Sequence, residues 1–372
     1  MGNIARRPDG KWRARYRDAS GRERTRQFVR KVDAQRWLSE TTQALADGRY
    51  VDPRAGRITL HEYDHDWLAR QVHRETTAEQ MSGVVRRYID PVLGDLRLAA
   101  IQPADVQRWV KTLSRTLAPS TVEVAHRILY GILKSPVSDR RIVSNPCVGT
   151  KLPKVTKPRV HPISEDQLAA IVQHMPRRHQ ALVILAAGTG LRQGEIFGLT
   201  IDRLDLERLT ILVNPQLVNV SGREPFFGPP KSQASVRVVP LPGVVAHALE
   251  VHLRLFPTSS LVFANSVGAP LRRSAFWTEW NRALSQAGVP AIRFHELRHY
   301  YASLLIRHGE SVKTVQARLG HASASETLDT YSHLWPDNDE RTRAAVDGVL
   351  RNFADLLRTT GGDQTHHRRS ET

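Results

Sequence analysis

The stretch that decides the reading runs from Ala291 to Trp335: AIRFHELRHYYASLLIRHGESVKTVQARLGHASASETLDTYSHLW. It holds His295, Arg298, His321 and Tyr331, side chains of the kinds that bind or attack phosphate. His295 and Arg298 are three residues apart, so a helix sets both on one side. Gly309 marks the end of that helix and VKTVQARLG is the next short one. The turn between them resembles a helix-turn-helix and brings His321 back toward His295. Tyr331 follows ten residues after His321, on ETLDTYSHL. Each residue alone reads blandly: a lone tyrosine is a half-buried packing residue, a lone histidine a surface or satisfied core group. Ordinary packing does not call for the set. If the four converge, they form a cationic pocket around a phenol, where a protein nucleophile can attack a phosphodiester.

The same stretch spells His-Glu-x-x-His at 295–299, which on a zinc-protease helix provides two metal ligands and a general base. A third ligand is needed, and position 305, where one spacing would put it, is Leu305. Glu310 and Glu326 remain conceivable ligands. A zinc reading also leaves Arg192, Lys231, Tyr331 and the charge of the chain without a role.

Upstream, QALVILAAGTGLRQGEIFGLT (180–200) reads as a buried helix, a glycine turn and a second helix, with a charged Arg192 at the turn. RLTILVN and SVRVVPL read as short strands flanking Lys231, which follows Gly228-Pro229-Pro230 in a loop or hairpin edge. Ser164 begins SEDQLAAIVQHM, a capped helix with acidic residues in its first turn. LPKVTKPRVHP (152–162), rich in proline and lysine, reads as a linker.

Before the linker, residues 58–150 read as helices: Thr59–Arg74 with Leu60, Tyr63, Trp67 and Leu68 on one face, PADVQRWVKTL from Pro103, and TVEVAHRILYGILK after Ser120. Pro136 should end or kink the last. Residues 1–55 are strongly basic. KWRARYRD alternates Trp12, Ala14 and Tyr16 against Arg13, Arg15 and Arg17, and RERTRQFVR returns as a second strand. Asp33 is the expected cap of a helix carrying Ala34, Trp37, Leu38 and Leu45. Arginines then line the face of the sheet opposite the helix and point to nucleic-acid contact. At the other end, 340–357 reads as an amphipathic helix with Val346, Val349, Leu350, Phe353 and Leu357, followed by a polar, disordered tail.

The 372 residues suffice for two or three domains, and 40% hydrophobic residues for a sizeable core. A net charge of +17 repels itself unless an anionic partner neutralises it, and nucleic acid is the leading candidate. No long apolar run or signal peptide supports a membrane partner. The lone Cys147 excludes an internal disulfide and a zinc cluster of several thiolates, and it reads as a small buried residue. A reducing cytoplasm is expected.

The runs TGLRQGEIFGLT, KSQASVRVVPL, FHELRHYYAS and LGHASASETLDTYSHL stand in the order and spacing of the tyrosine recombinases, the phage-integrase family, and the chain resembles that family. PADVQRWVKTL and IVSNPC look like its helical core-binding domain, and the first 55 residues like its arm-binding domain. The resemblance implies a multidomain chain: a small α+β N-terminal arm-type DNA-binding domain (1–55), an all-α, SAM-like core-binding domain (58–150), a linker (151–162), a mainly α catalytic domain with a small antiparallel sheet (163–357) and a tail (358–372).

It also implies the chemistry. Tyr331 is the nucleophile that forms a 3′-phosphotyrosyl link, His295 accepts its proton, and nearby cations favour the phenolate. Arg192 and Arg298 grip the nonbridging oxygens, and His321 adds a hydrogen bond. Lys231 protonates the departing 5′ oxygen, and Glu195 orients its neighbours. No cofactor or metal is called for. The implied partners are double-stranded DNA with core and arm sequences, a homotetramer on DNA, and possible accessory proteins, namely a host DNA-bending protein and an excisionase. A type IB topoisomerase-like relaxase and a catalytically inactive DNA-binding regulator of the same fold are the alternatives.

Overall fold

The alternation of Trp12, Ala14 and Tyr16 against arginines produces the strand it predicts. In the computed structural model, which describes residues 2–18, 21–48, 50–52, 54–156, 159–214, 216–220, 222–228, 235–335 and 342–350, β2 (Trp12–Arg17) pairs antiparallel with both β1 (Asn3–Arg6) and β3 (Glu23–Phe28). Ala14 and Tyr16 are buried beneath α1 (Lys31–Ala46), where Trp37 meets Tyr16 edge-on at 5.5 Å. The helix starts earlier than its sequence suggests. Arg30 stands at the cap without a side-chain bond, and Asp33 lies in the first turn, 3.3 Å from Arg30, where a carboxylate complements the helix dipole.

Next come α2 (Leu60–Arg70), α3 (Glu75–Val84), a π-helical turn (Val85–Ile89), α4 (Asp90–Leu93), α5 (Pro103–Leu113) and α6 (Pro119–Ser138). Thr59 and Glu62 cap α2 reciprocally, and the helix stops at Arg70, not Arg74. Leu60, Tyr63, Trp67, Ile89, Trp109, Leu129 and Leu133 form one core. The Trp67 indole donates to Ser135 (2.8 Å) and the Trp109 indole to the Tyr88 carbonyl (2.6 Å), so both buried N–H groups are satisfied. Pro136 lies in the last turn of α6. The helix runs two residues past it, and Arg140 follows with φ 55°. Cys147 is buried in the same core, which pushes its thiol up to about 12. It is a packing residue.

The chain divides into two units, Met1–Lys157 and Pro158–Thr372. The second contains α7 (Glu165–His174), α8 (Arg177–Thr189), α9 (Gln193–Phe197), β4 (Leu204–Asp205), β5 (Thr210–Val213), β6 (Gln216–Val218), β7 (Phe226–Gly228), β8 (Arg237–Pro240), α10 (Gly243–Leu255), α11 (Arg273–Gln286), α12 (Glu296–Arg307), α13 (Val312–Leu319) and α14 (Ala324–Tyr331). The two predicted strands pair with each other, Ile211 opposite Val239, with β4 on the outer side of β5; β6 and β7 make a separate hairpin. Buried α8 runs through the main core, as its apolar sequence requires. A smaller cluster gathers Tyr301, Ile306, Val315, Leu319 and Tyr331. Residues 342–350 are helical and exposed; the rest of the expected 340–357 helix and the tail lie outside the described residues.

Candidate active site

Two left-handed glycines begin the site. Gly190 (φ 64°) ends α8, and a Cβ there would run into the Tyr301 ring; Gly320 (φ 65°) ends α13. Both turns leave carbonyls free of helical bonds, and arginines take them. Arg298, on the first turn of α12 and 3% exposed, donates to the Gly190 carbonyl (2.8 Å) and the Leu319 carbonyl (2.6 Å). Arg192, at the cap of α9, donates to the Gly320 carbonyl (3.0 Å). The two guanidiniums therefore hold one turn, Leu319–Gly320, from two helices. Burial, then Arg192, lowers Arg298 to about 9, so it remains charged at neutral pH.

Glu195 sits beneath them. It accepts from the Arg192 backbone (2.9 Å) and side chain (3.0 Å), and from both terminal nitrogens of Arg237 (3.2 and 3.0 Å). Burial raises its pKa, but the Arg237 and Arg192 interactions outweigh that and hold it below the usual carboxylate range. Arg237 itself is fixed by the carbonyls of Arg318 and Ser235. Sequence reading passed over it: an arginine in a β-strand next to valines carries no motif of its own.

His321 follows Gly320 and is buried. Its Nδ1 lies 2.8 Å from the Thr327 hydroxyl and its Nε2 3.6 Å from Glu326. Burial, followed by Arg298, Arg192 and Arg237, pushes its pKa down to about 3. His295 caps α12 at the exposed rim; crowding by protein, then His299, Arg298, Arg293 and Arg192, takes it down to about 4. Both rings are neutral at pH 7. Arg192, Arg298, His295 and His321 thus converge.

Tyr331 ends α14 and is 1% exposed within the small cluster. Two features of its setting add to the sequence reading. Arg298 favours the phenolate, but burial outweighs it and pushes the phenol up to about 12 in this state. The ring bonded to its hydroxyl is His299, whose Nδ1 stands at 2.7 Å, not His295. His295 meets His299 edge-on at 5.0 Å, one ring further out. The sequence signal for His299 was present, as the second histidine of HELRH, but it was spelled as a zinc motif. Among the described residues no third ligating side chain joins this pair. Lys231 lies outside the described residues, in the segment between β7 and β8. Arg13, Arg15 and Arg17 stand on β2 in the other unit, on the face away from Ala14 and Tyr16. Arg17 is exposed, and Arg15 lies 3.9 Å from Glu23.

Comparisons with known proteins agree across the chain. Residues 1–48 match the phage integrase N-terminal domain, 59–114 the phage integrase N-terminal SAM-like domain and 162–337 the phage integrase family itself. The integrase of Mycobacterium phage L5 is 26% identical over 310 residues, covering 80% of this chain and 83% of that protein. The Tn1549 transposon integrase in complex with a circular intermediate DNA superposes with a TM-score of 0.66 at 20% identity, over 78% of this chain and 99% of that one. A lambda integrase tetramer bound to a Holliday junction gives 0.56 at 19%, over 87% and 96%. The chain belongs to the phage integrase family, the tyrosine recombinases. It is an enzyme of site-specific recombination that cuts and rejoins DNA.

Proposed function

We propose that the chain is the integrase of a phage or other mobile element, joining and releasing that element at attachment sites through a 3′-phosphotyrosyl link to Tyr331. The observation that carries this is the convergence of Arg192, Arg298, His295 and His321 at the Leu319–Gly320 turn, one helix away from the phenol.

The arginines' carbonyl bonds fix the guanidinium planes, and each fork keeps further N–H donors for an anion. They bind the nonbridging oxygens, where charge gathers in the transition state. Thr327 can donate to Nδ1 of neutral His321, which leaves the proton on Nε2 as a donor to the phosphate. Neutral His295 accepts the phenol proton as the new ester forms. Lys231 supplies a proton to the departing 5′ oxygen; the run KSQASVRVVPL supports this role. Glu195 and Arg237 position Arg192. In the DNA-free chain the phenol is buried and protonated, so cleavage requires Tyr331 to leave its cluster and reach the phosphate. The ester keeps the bond energy, so a 5′-hydroxyl of another strand reseals the break, without Mg²⁺ or ATP.

The unit that ends at Lys157 supplies further DNA contacts: arm sequences through Arg13, Arg15 and Arg17, core sequences through the helices. The active assembly is a homotetramer on two DNA sites. Residues 342–350 support it, because Val346, Val349 and Leu350 are half-exposed or more on a helix available to a neighbouring protomer. A host DNA-bending protein and an excisionase complete the complex, which works on DNA in the bacterial cytoplasm. No helix among the described residues is long and apolar enough to cross a membrane.

The test is trapping on a nicked attachment-site DNA. Wild type should form a protein–DNA adduct that survives denaturation, and Tyr331→Phe should form none. Absence of any adduct with wild type on its own site would remove the enzymatic reading. Recombination between two sites then separates an integrase from a type IB topoisomerase-like relaxase.

A further inference from the structure

We propose that the first unit holds a divalent transition-metal ion of the zinc class, bound by His61, Asp64, His65 and Asp90. HEYDH (61–65) is a second His-Glu-x-x-His in this chain. On α2 it sets His61, Asp64 and His65 at i, i+3 and i+4, one face of the helix. Asp90 comes from the start of α4, directly after the π-helical turn. One ligand atom from each of the four lies within 4.8 Å of all the others. The His61 Nδ1 is 3.1 Å from the Asp90 carboxylate, and the two imidazoles meet at 4.7 Å.

The floor of this cluster points to a cation. Asp64 is fully buried, and among the described residues neither of its carboxylate oxygens has a hydrogen-bond partner; one Asp90 oxygen is buried and likewise unpartnered among them. Core positions beside it on α2 are Leu60, Tyr63 and Trp67. A carboxylate in such a place costs several kcal/mol unless a counter-charge or a proton neutralises it. Its near neighbour, Asp90, is another carboxyl, and the two can satisfy each other only by sharing a proton. A cation meets the need of both at once, and the exposed His61 and His65 give it a way in from solvent.

The donor set selects the ion. Two imidazoles and two carboxylates suit tetrahedral zinc, whereas magnesium and calcium prefer oxygen alone. Ligands on a tetrahedral zinc stand about 3.3 Å apart, so small rotations of the two surface histidines close the site. Glu62, the general base of a zinc hydrolase with this spelling, is committed to the Thr59 cap. The ion is therefore structural: it ties α2 to α4 across the core of the helical region.

Metal-free full-length chain, equilibrated with Zn²⁺, should bind one more equivalent than the His61→Ala, His65→Ala double variant, whose replaced side chains are exposed. Zn²⁺ should raise the unfolding temperature of wild type by several degrees, EDTA should reverse the rise, and Mg²⁺ should not produce it. The double variant should show no such rise. Equal zinc content and equal thermal response in the two proteins would overturn the proposal. So would an unchanged unfolding temperature in Zn²⁺ together with a rise in Asp64→Asn, since that pair of results assigns the buried carboxyl a shared proton.

Discussion

Glu195, His295 and His321 make the free enzyme acid-sensitive by the same sign. Glu195 has a lowered pKa in the fold, so its stabilisation is present above the ordinary carboxylate range and is lost as pH falls through the lowered value. His321 and His295, at about 3 and about 4, stay neutral in the fold while the unfolded chain takes up protons below about 6.5. Stability should therefore decline from pH 6.5 toward 4 in denaturant unfolding of the DNA-free chain, and His321→Gln should flatten that decline. A flat profile for wild type would show that His321 charges freely in the fold. Arg237 allows a second test at this scale. It makes a two-pronged bond to Glu195 and a third to the Arg318 carbonyl. Arg237→Lys keeps the charge but loses the fork. Adduct formation should fall by about 100-fold through misplacement of Arg192, the size expected for an error of about 1 Å at a reacting centre. Normal adduct yields would separate Arg237 from the chemistry.

Among the elements, α12, α13 and α14 decide what the enzyme does before DNA arrives. The phenol of Tyr331 is packed against Tyr301, Ile306, Val315 and Leu319 and bonded to His299. Removing the partner of a buried hydroxyl costs about 1–3 kcal/mol. In His299→Ala, hydrogen exchange over 324–335 should speed up by about fivefold or more, with the rest of the catalytic unit unchanged. Unaltered exchange there would mean that packing alone holds the tyrosine. The sequence made α12 and α13 readable because Gly309 and Gly320 end them and α5 because Pro103 begins it. Arg192, Arg298, His295, His321 and Tyr331 were legible for a different reason, since each lies in a run whose spacing is distinctive. What stayed hidden is tertiary. β1 and the β6–β7 hairpin are too short to show a period of two. Arg237 acquires its role only when β8 brings it against Glu195. Asp64 is not one of the apolar positions read on its helix, and only the fold shows that it is buried.

Over the whole molecule, charge and domain division bear on the same partner. The chain carries +17 and folds as two units, with Arg13, Arg15 and Arg17 on the sheet of the first and Arg192 and Arg298 in the second. Each phosphate neutralised by a side chain releases condensed counterions, and the slope of log affinity against log salt counts those contacts at about 0.9 per phosphate on duplex DNA. If the three β2 arginines each meet an arm-site phosphate, Arg13→Gln, Arg15→Gln and Arg17→Gln together should reduce the slope for arm DNA by about 2.7. The slope for a core site should stay as in wild type, because those contacts belong to other elements. Adduct formation on nicked core DNA should persist in the triple variant, since none of the three side chains lies in the catalytic unit. Arg15 is the weakest of the three contributors: it already lies 3.9 Å from Glu23, and binding phosphate means giving up that contact. Arg17 is exposed, and among the described residues no ion pair competes for it. Single variants should therefore rank Arg17→Gln above Arg15→Gln in lost arm affinity at low salt. An unchanged arm-site slope in the triple variant would place the arm contacts on a different surface of the first unit.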